Sequence, residues 1–184
     1  MRNGFAALLC LALLAFSARA DEVSGRFRLT DQDGRTVTEA SYAGRVRVVS
    51  FGYTFCPDIC PTTLSTVAAA LDMLGAKASQ VAPIFITVDP KRDSAQHLKE
   101  YVAAFGPSFI GLTGSTEQVD EAARAFRVRY AIQPPTNVDD PDSYFVDHSA
   151  GIYIMDRRGG FAAKLGHRAD AEELAARLTE VIDQ

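Results

Sequence analysis

The sequence predicts an α/β fold: a mixed central sheet with helices on both faces and a hairpin at its N-terminal end. Three observations carry this expectation. Residues 46–51 and 81–88 are β-branched and apolar enough to be strands buried on both faces. Amphipathic stretches with helix-start and helix-stop residues alternate with those runs. The last third then offers two more strands and a final helix, an order that suits a sheet covered on both sides.

The chain has 184 residues, room for one domain and hardly for two. Its first twenty residues read as a signal peptide. Arg2 opens it, residues 5–16 are an uncharged apolar run, and Ser17-Ala18-Arg19-Ala20 ends in the Ala-x-Ala that signal peptidases accept. The run falls short of the roughly 20 apolar residues of a spanning helix, so an uncleaved membrane anchor is the alternative. Lipidation at Cys10 is rejected, because Leu9 stands where a small residue is needed. The expectation is export to the periplasm, with residues 21–184 as one soluble domain. Cleavage would remove Arg2 and Arg19 and no acid, leaving 17 basic and 23 acidic residues and a net charge of −6. That balance does not suit a nucleic-acid binder, which needs a basic footprint.

Residues 26–30 and 35–38 read as a hairpin about the turn Asp31-Gln32-Asp33-Gly34. The strand at 46–51 runs straight into Gly52-Tyr53-Thr54-Phe55-Cys56. A helix is expected from Pro61, whose missing N–H costs nothing in a first turn; Leu64, Val67, Leu71 and Leu74 share one face and Gly75 ends it. After the strand at 81–88, Asp93 or Ser94 can cap a helix burying Leu98, Tyr101, Val102 and Phe105. Residues 109–112 form a short extended piece, and Ser115 with Gln118 makes a capping box for a helix through Phe126. Residues 133–143, with three prolines and three aspartates, must be loop. Strands at 151–155 and 161–165 flank a turn at Arg157-Arg158-Gly159-Gly160, and Asp170 with Glu173 starts the last helix.

Export would leave two cysteines, Cys56 and Cys60, in an oxidising space where an even pair can form a disulfide. A loop so short constrains the unfolded chain little, which favours chemistry over a structural bridge. Cys56-Pro57-Asp58-Ile59-Cys60-Pro61 lies where a central strand meets a helix N-terminus, whose N–H groups and dipole stabilise a thiolate. Two soft sulfurs suit Cu(I), and a structural zinc would normally want four closed ligands. Redox dithiols occupy the same junction, so the cysteines alone leave metal and redox work both open. His148, in Val146-Asp147-His148-Ser149, bears on that choice. In a thioredoxin-like sheet its position, just before the penultimate strand, comes beside the dithiol helix. An imidazole there suits Cu(II), while Cu(I) can keep the two sulfurs.

Four blocks carry a resemblance. Residues 51–64 (Phe51-Gly52-Tyr53-Thr54-Phe55-Cys56-Pro57-Asp58-Ile59-Cys60-Pro61-Thr62-Thr63-Leu64) come first. They are followed by Phe85-Ile86-Thr87-Val88-Asp89-Pro90-Lys91-Arg92-Asp93, Gly111-Leu112-Thr113-Gly114 and Asp147-His148-Ser149-Ala150. In this order they resemble the Sco/SenC family of copper chaperones across most of the chain after the leader. The resemblance implies a thioredoxin-like fold and copper, as Cu(I) or Cu(II), on Cys56, Cys60 and His148. It also implies delivery of copper to the copper A subunit of cytochrome c oxidase, with a copper donor or a thiol reductant protein as a further partner. Many members keep a clear membrane anchor, whereas this leader looks cleavable.

Delivery by ligand exchange makes the chain a metallochaperone rather than an enzyme. The alternative is an exported thiol–disulfide oxidoreductase acting on cysteines of the oxidase subunit or another protein, with Cys56 and Cys60 as its redox pair and His148 dispensable. A peroxidase ranks third, since no further catalytic residues call for it. The three-residue spacer between the cysteines and the Asp147-His148-Ser149 block favour copper. Around the site, Asp147 is expected to orient His148, Asp58 to cap its loop, Asp89 to end a strand and Asp93 to cap a helix. Tyr53 and Phe55 are expected to shield the dithiol or join the core. His97, His167 and the cluster Asp139, Asp140 and Asp142 are expected in solvent.

Overall fold

The computed structural model describes residues 23–184, so the leader read at 1–20 lies outside the described residues. Seven strands form one sheet in the order β2-β1-β5-β4-β3-β8-β9. The middle three, β3 (Val46–Gly52), β4 (Val81–Thr87) and β5 (Ile110–Thr113), are parallel. Around them β1 (Arg28–Asp31), β2 (Thr36–Thr38), β8 (Ile152–Met155) and β9 (Phe161–Leu165) add antiparallel pairs. The mixed thioredoxin-like sheet and the N-terminal hairpin are therefore as the sequence predicts.

Alternation along the central strands makes two cores, because side chains two apart share a face. Val49 and Phe51 of β3, Ile84 and Ile86 of β4, and Tyr153 of β8 face one way, under Val119, Ala122 and Phe126. Val46, Val48, Phe85, Ile152 and Ile154 face the other way. That second face is covered by α1 (Ile59–Leu74), α2 (Ala95–Ala103) and α4 (Ala171–Ile182), while α3 (Thr116–Ala125) covers the first.

Helix ends follow local chemistry. The Ser94 and Ser115 hydroxyls accept from the backbone N–H groups of His97 and Gln118, and Asp170 accepts from that of Glu173. Gly75 closes α1 at φ +54°, a conformation that side chains disfavour. Two expectations need correction. The helix begins at Ile59 and not at Pro61, which draws Cys60 into its first turn; Pro61 fits there because first-turn N–H groups have no partner inside the helix. Ser94 and not Asp93 caps α2, and Asp93 is turned inward.

A second, two-stranded ribbon was not expected. β6 (Tyr130–Ile132) pairs antiparallel with β7 (Val146–His148), setting Tyr130 opposite His148. Between them the loop at 133–145 turns back on itself, with the Thr136 N–H donating to the Ser143 carbonyl at 2.7 Å.

Candidate metal centre

Cys60 reaches the site from the start of α1 and is buried. Its sulfur lies against Gly52, at the end of β3. A Cβ on Gly52 would stand 2.6 Å from that sulfur and 2.8 Å from the Phe85 ring, so only glycine leaves the sulfur its seat. Cys56 is half-buried and touches both cores. Both thiols are free.

His148 ends β7 and brings Nε2 to 3.6 Å from the Cys60 sulfur, across 88 residues of sequence. Its Nδ1 lies 3.4 Å from the Ser149 carbonyl, which can only accept. The proton therefore sits on Nδ1, and Nε2 turns its lone pair to the sulfur. Burial lowers the imidazole pKa, against the opposing pull of the Ser149 backbone and Asp147, and so favours the neutral ring that a metal requires. Asp147 does not accept from the ring, contrary to expectation; its carboxylate takes a hydrogen bond from Gln133 Nε2 at 2.7 Å.

The electrostatics of Cys60 also differ from the expected stabilised thiolate. Burial pushes its thiol pKa well up and the neighbouring Cys56 thiol adds to that, outweighing the Tyr53 backbone, which acts the other way. Low-dielectric surroundings penalise a lone thiolate more than one helix end can repay. A cation at the sulfur would reverse that balance, because binding displaces the proton.

The 3.6 Å between the Cys60 sulfur and His148 Nε2 is short enough for both to hold one ion. Among the described residues no three Cys, His, Asp or Glu side chains converge as a closed set of donors. The arrangement is a thiol–imidazole pair with a second thiol at its side.

Other residues have quieter places. Asp93 is fully buried and accepts from the Thr54 N–H at 3.1 Å, the Thr54 hydroxyl at 2.6 Å and the Thr87 hydroxyl at 2.6 Å. It anchors the turn that follows β3, at Thr54, two residues before Cys56. Burial raises its pKa, against the lowering effect of those threonine contacts. Tyr53 is buried with its ring edge-on to His148 at 6.2 Å, while Phe55 is 53% exposed beside the dithiol. Asp58 occupies the N-cap position of α1 without a side-chain capping bond. His97 is half-buried, not solvated, with Nδ1 3.3 Å from the Arg92 carbonyl and its ring against Phe55. His167 is exposed, as are Asp139, Asp140 and Asp142. Two neighbours of the site, Arg92 and Tyr144, have no role assigned from sequence. Their available signals are the 85–93 block, which contains Arg92, and the apolar-aromatic Tyr144-Phe145-Val146 run ahead of His148.

Comparison with known proteins gives the chain a family. Residues 16–183 match the SCO1/SenC family model. Protein sco1 of Schizosaccharomyces pombe is 40% identical over 156 residues, 84% of this chain and 59% of the relative. The copper-bound crystal structure of ScoI from Arabidopsis thaliana is 39% identical, with a TM-score of 0.79 over 88% of this chain and 99% of that one. The copper-bound structure of ScoI from Bradyrhizobium japonicum is 38% identical, with a TM-score of 0.77 over 86% and 99%. The chain spans about half the length of the first curated relatives it matches. On a family model that spans nearly the whole chain, and on relatives this similar around the same strands and helices, the chain belongs to the SCO1/SenC family.

Proposed function

We propose that this protein binds copper through Cys56, Cys60 and His148 and passes it to the copper A subunit of cytochrome c oxidase. The observation that carries the reading is the approach of the His148 imidazole to the Cys60 sulfur at 3.6 Å. Two thiolates satisfy Cu(I), and the added imidazole suits Cu(II). Copper-bound relatives of the same fold support this choice of metal. Cys56 is the accessible ligand and Cys60 the buried one. An incoming thiolate would therefore displace Cys56 first and leave the metal briefly on Cys60. Export follows from the leader: residues 1–20 are removed and residues 21–184 work in the periplasm, which an N-terminal sequence of the exported protein beginning at Asp21 would support.

Titration of the reduced chain tests the copper site. One Cu(I) or one Cu(II) should bind, and Cu(II) should give a visible thiolate-to-copper absorption band. Cu(II) uptake without that band would remove the cysteines from the site and overturn the reading.

The unequal exposure of the two thiols also favours a second reading, thiol–disulfide exchange. Cys56 as thiolate would attack a partner disulfide and release one partner thiolate. Cys60 would then resolve the mixed disulfide, leaving the partner with two thiols and this chain with a Cys56–Cys60 disulfide. His148→Ala separates the two. Delivery predicts poor oxidase assembly in copper-limited cells, partly restored by added copper through mass action. Exchange predicts normal assembly by His148→Ala and none by either cysteine variant.

A further inference from the structure

The segment that leads into the His148 strand and the loop that carries the dithiol meet at one guanidinium. Arg92 follows β4 in the Asp89-Pro90-Lys91-Arg92-Asp93 turn, and only 8% of its side chain is exposed. Its Nε donates to Asp89 Oδ2, and its Nη1 donates to the carbonyls of Asp142 at 2.8 Å and Tyr144 at 3.0 Å. The Tyr144 hydroxyl donates to the other Asp89 oxygen at 2.9 Å, closing a ring of contacts. The guanidinium carbon also lies 3.7 Å from the centre of the Tyr144 ring, 4.8 Å from that of Phe55 and 5.6 Å from that of Tyr53. Tyr144 stands two residues before β7. Phe55 directly precedes Cys56, Tyr53 stands three positions before it, and the Tyr53 ring edges onto His148.

Stability alone explains this arrangement poorly. A buried ion pair returns little net stability over well-packed apolar residues. Arg92 Nη2 is in addition buried with no hydrogen-bond partner among the described residues, which is unfavourable. What the arrangement does supply is geometry. A planar fork with donors at fixed angles and two stacking faces fixes three neighbours relative to one another, and a lysine ammonium cannot.

On the copper reading proposed above, we infer that Arg92 is a positioning residue for the metal centre: it fastens the His148 segment to the aromatic rings beside the dithiol and so sets how the imidazole meets Cys60. It touches no metal and acts through Tyr144, Tyr53 and Phe55.

The test compares the reduced full chain, Arg92→Lys, Tyr144→Phe and a stability control, Leu178→Ala, which opens the core under α4. Each is titrated separately with Cu(II) and Cu(I), with a melting curve and an electron paramagnetic resonance spectrum of the Cu(II) form. Arg92→Lys keeps the charge opposite Asp89 and loses the fork. It should weaken Cu(II) about 10- to 100-fold, the usual effect of removing an outer support of a ligand, alter the nitrogen coupling in the spectrum, and weaken Cu(I) much less. Tyr144→Phe removes one hydroxyl and should shift the ratio of the two affinities in the same sense by a smaller factor. Leu178→Ala should lower the melting temperature and leave that ratio unchanged. The inference is overturned if Arg92→Lys leaves Cu(II) affinity and spectrum as they are, or lowers both affinities in the proportion seen with Leu178→Ala. A wild-type chain with no thiolate-to-copper band would instead overturn the copper reading itself, before any variant is compared.

Discussion

Cys60 lies in the first turn of a 16-residue helix whose buried face, Leu64, Val67 and Leu71, packs on the sheet, whereas His148 ends a three-residue strand in a separate two-stranded ribbon. The first ligand candidate is held by hydrophobic packing, continuous with the core. The second has a smaller apolar anchor, Val146 and Tyr144 in the other core, and leans on polar contacts besides: the Ser149 N–H donates to the Arg129 carbonyl at 2.8 Å, the Gln133 N–H to the Phe145 carbonyl at 2.9 Å, and the Tyr130 hydroxyl to Asp120. Packing over a large buried face is strong and insensitive to one lost polar contact. A short ribbon depends on each of its few bonds, and such elements open first. The sulfur half should therefore fail only with the fold, while the imidazole half can loosen alone.

Three substitutions can break or sharpen this contrast. Leu64→Ala removes a fully buried side chain from the inner face of α1 and should cost about 2–5 kcal/mol of stability. Urea unfolding measures it, and copper binding should disappear along the same curve as secondary structure. A loss under about 1 kcal/mol would show that the dithiol helix is not anchored as described. Tyr130→Phe deletes the hydroxyl that ties the ribbon to Asp120 of α3 and should cost only about 0.5–1.5 kcal/mol. Hydrogen exchange should show β7 amides opening faster while those of β3 keep their protection; equal acceleration in both would dissolve the distinction between the halves. The smallest effect belongs to Asp147→Asn. Its carboxylate is exposed and bonded to Gln133, so stability should change by no more than about 0.5 kcal/mol and Cu(II) affinity should match the wild type. A tenfold weaker Cu(II) site would mean that Asp147 acts on the imidazole after all.

The same contrast decides what could be read from sequence. The central strands and α1 were legible because burial on one or both faces leaves a periodic pattern, and Ser94, Ser115 and Asp170 announce their helices by local hydrogen-bonding chemistry. The dithiol was legible from spacing and from its place after a buried strand. His148 could be named, but not its neighbours. β6 and β7 have three residues each, too few for a periodic signal, and the pairing of Tyr130 with His148 is non-local. Asp93 looked like a cap because Asp is common at that position, yet Ser94 takes the cap and frees Asp93 for Thr54 and Thr87. Nor does sequence report burial of a single thiol. Cys60 looks like an activated cysteine at a helix start, and only its seat against Gly52 and Phe85 shows that desolvation dominates.

The separation of Cys60 and His148 by 88 positions bears on how the protein is made. Contacts so distant in sequence form only after the intervening chain has been ordered, at the expense of loop entropy. The two cysteines, four positions apart, need no such closure: Cys56 stands three residues before α1 and Cys60 in its first turn. During synthesis or refolding there is then an interval in which a dithiol exists and the imidazole has not yet arrived. On the copper reading, Cu(I) can be captured in that interval by an unfinished chain. Cu(II), which asks for nitrogen as well as sulfur, would select finished molecules and stabilise them by mass action.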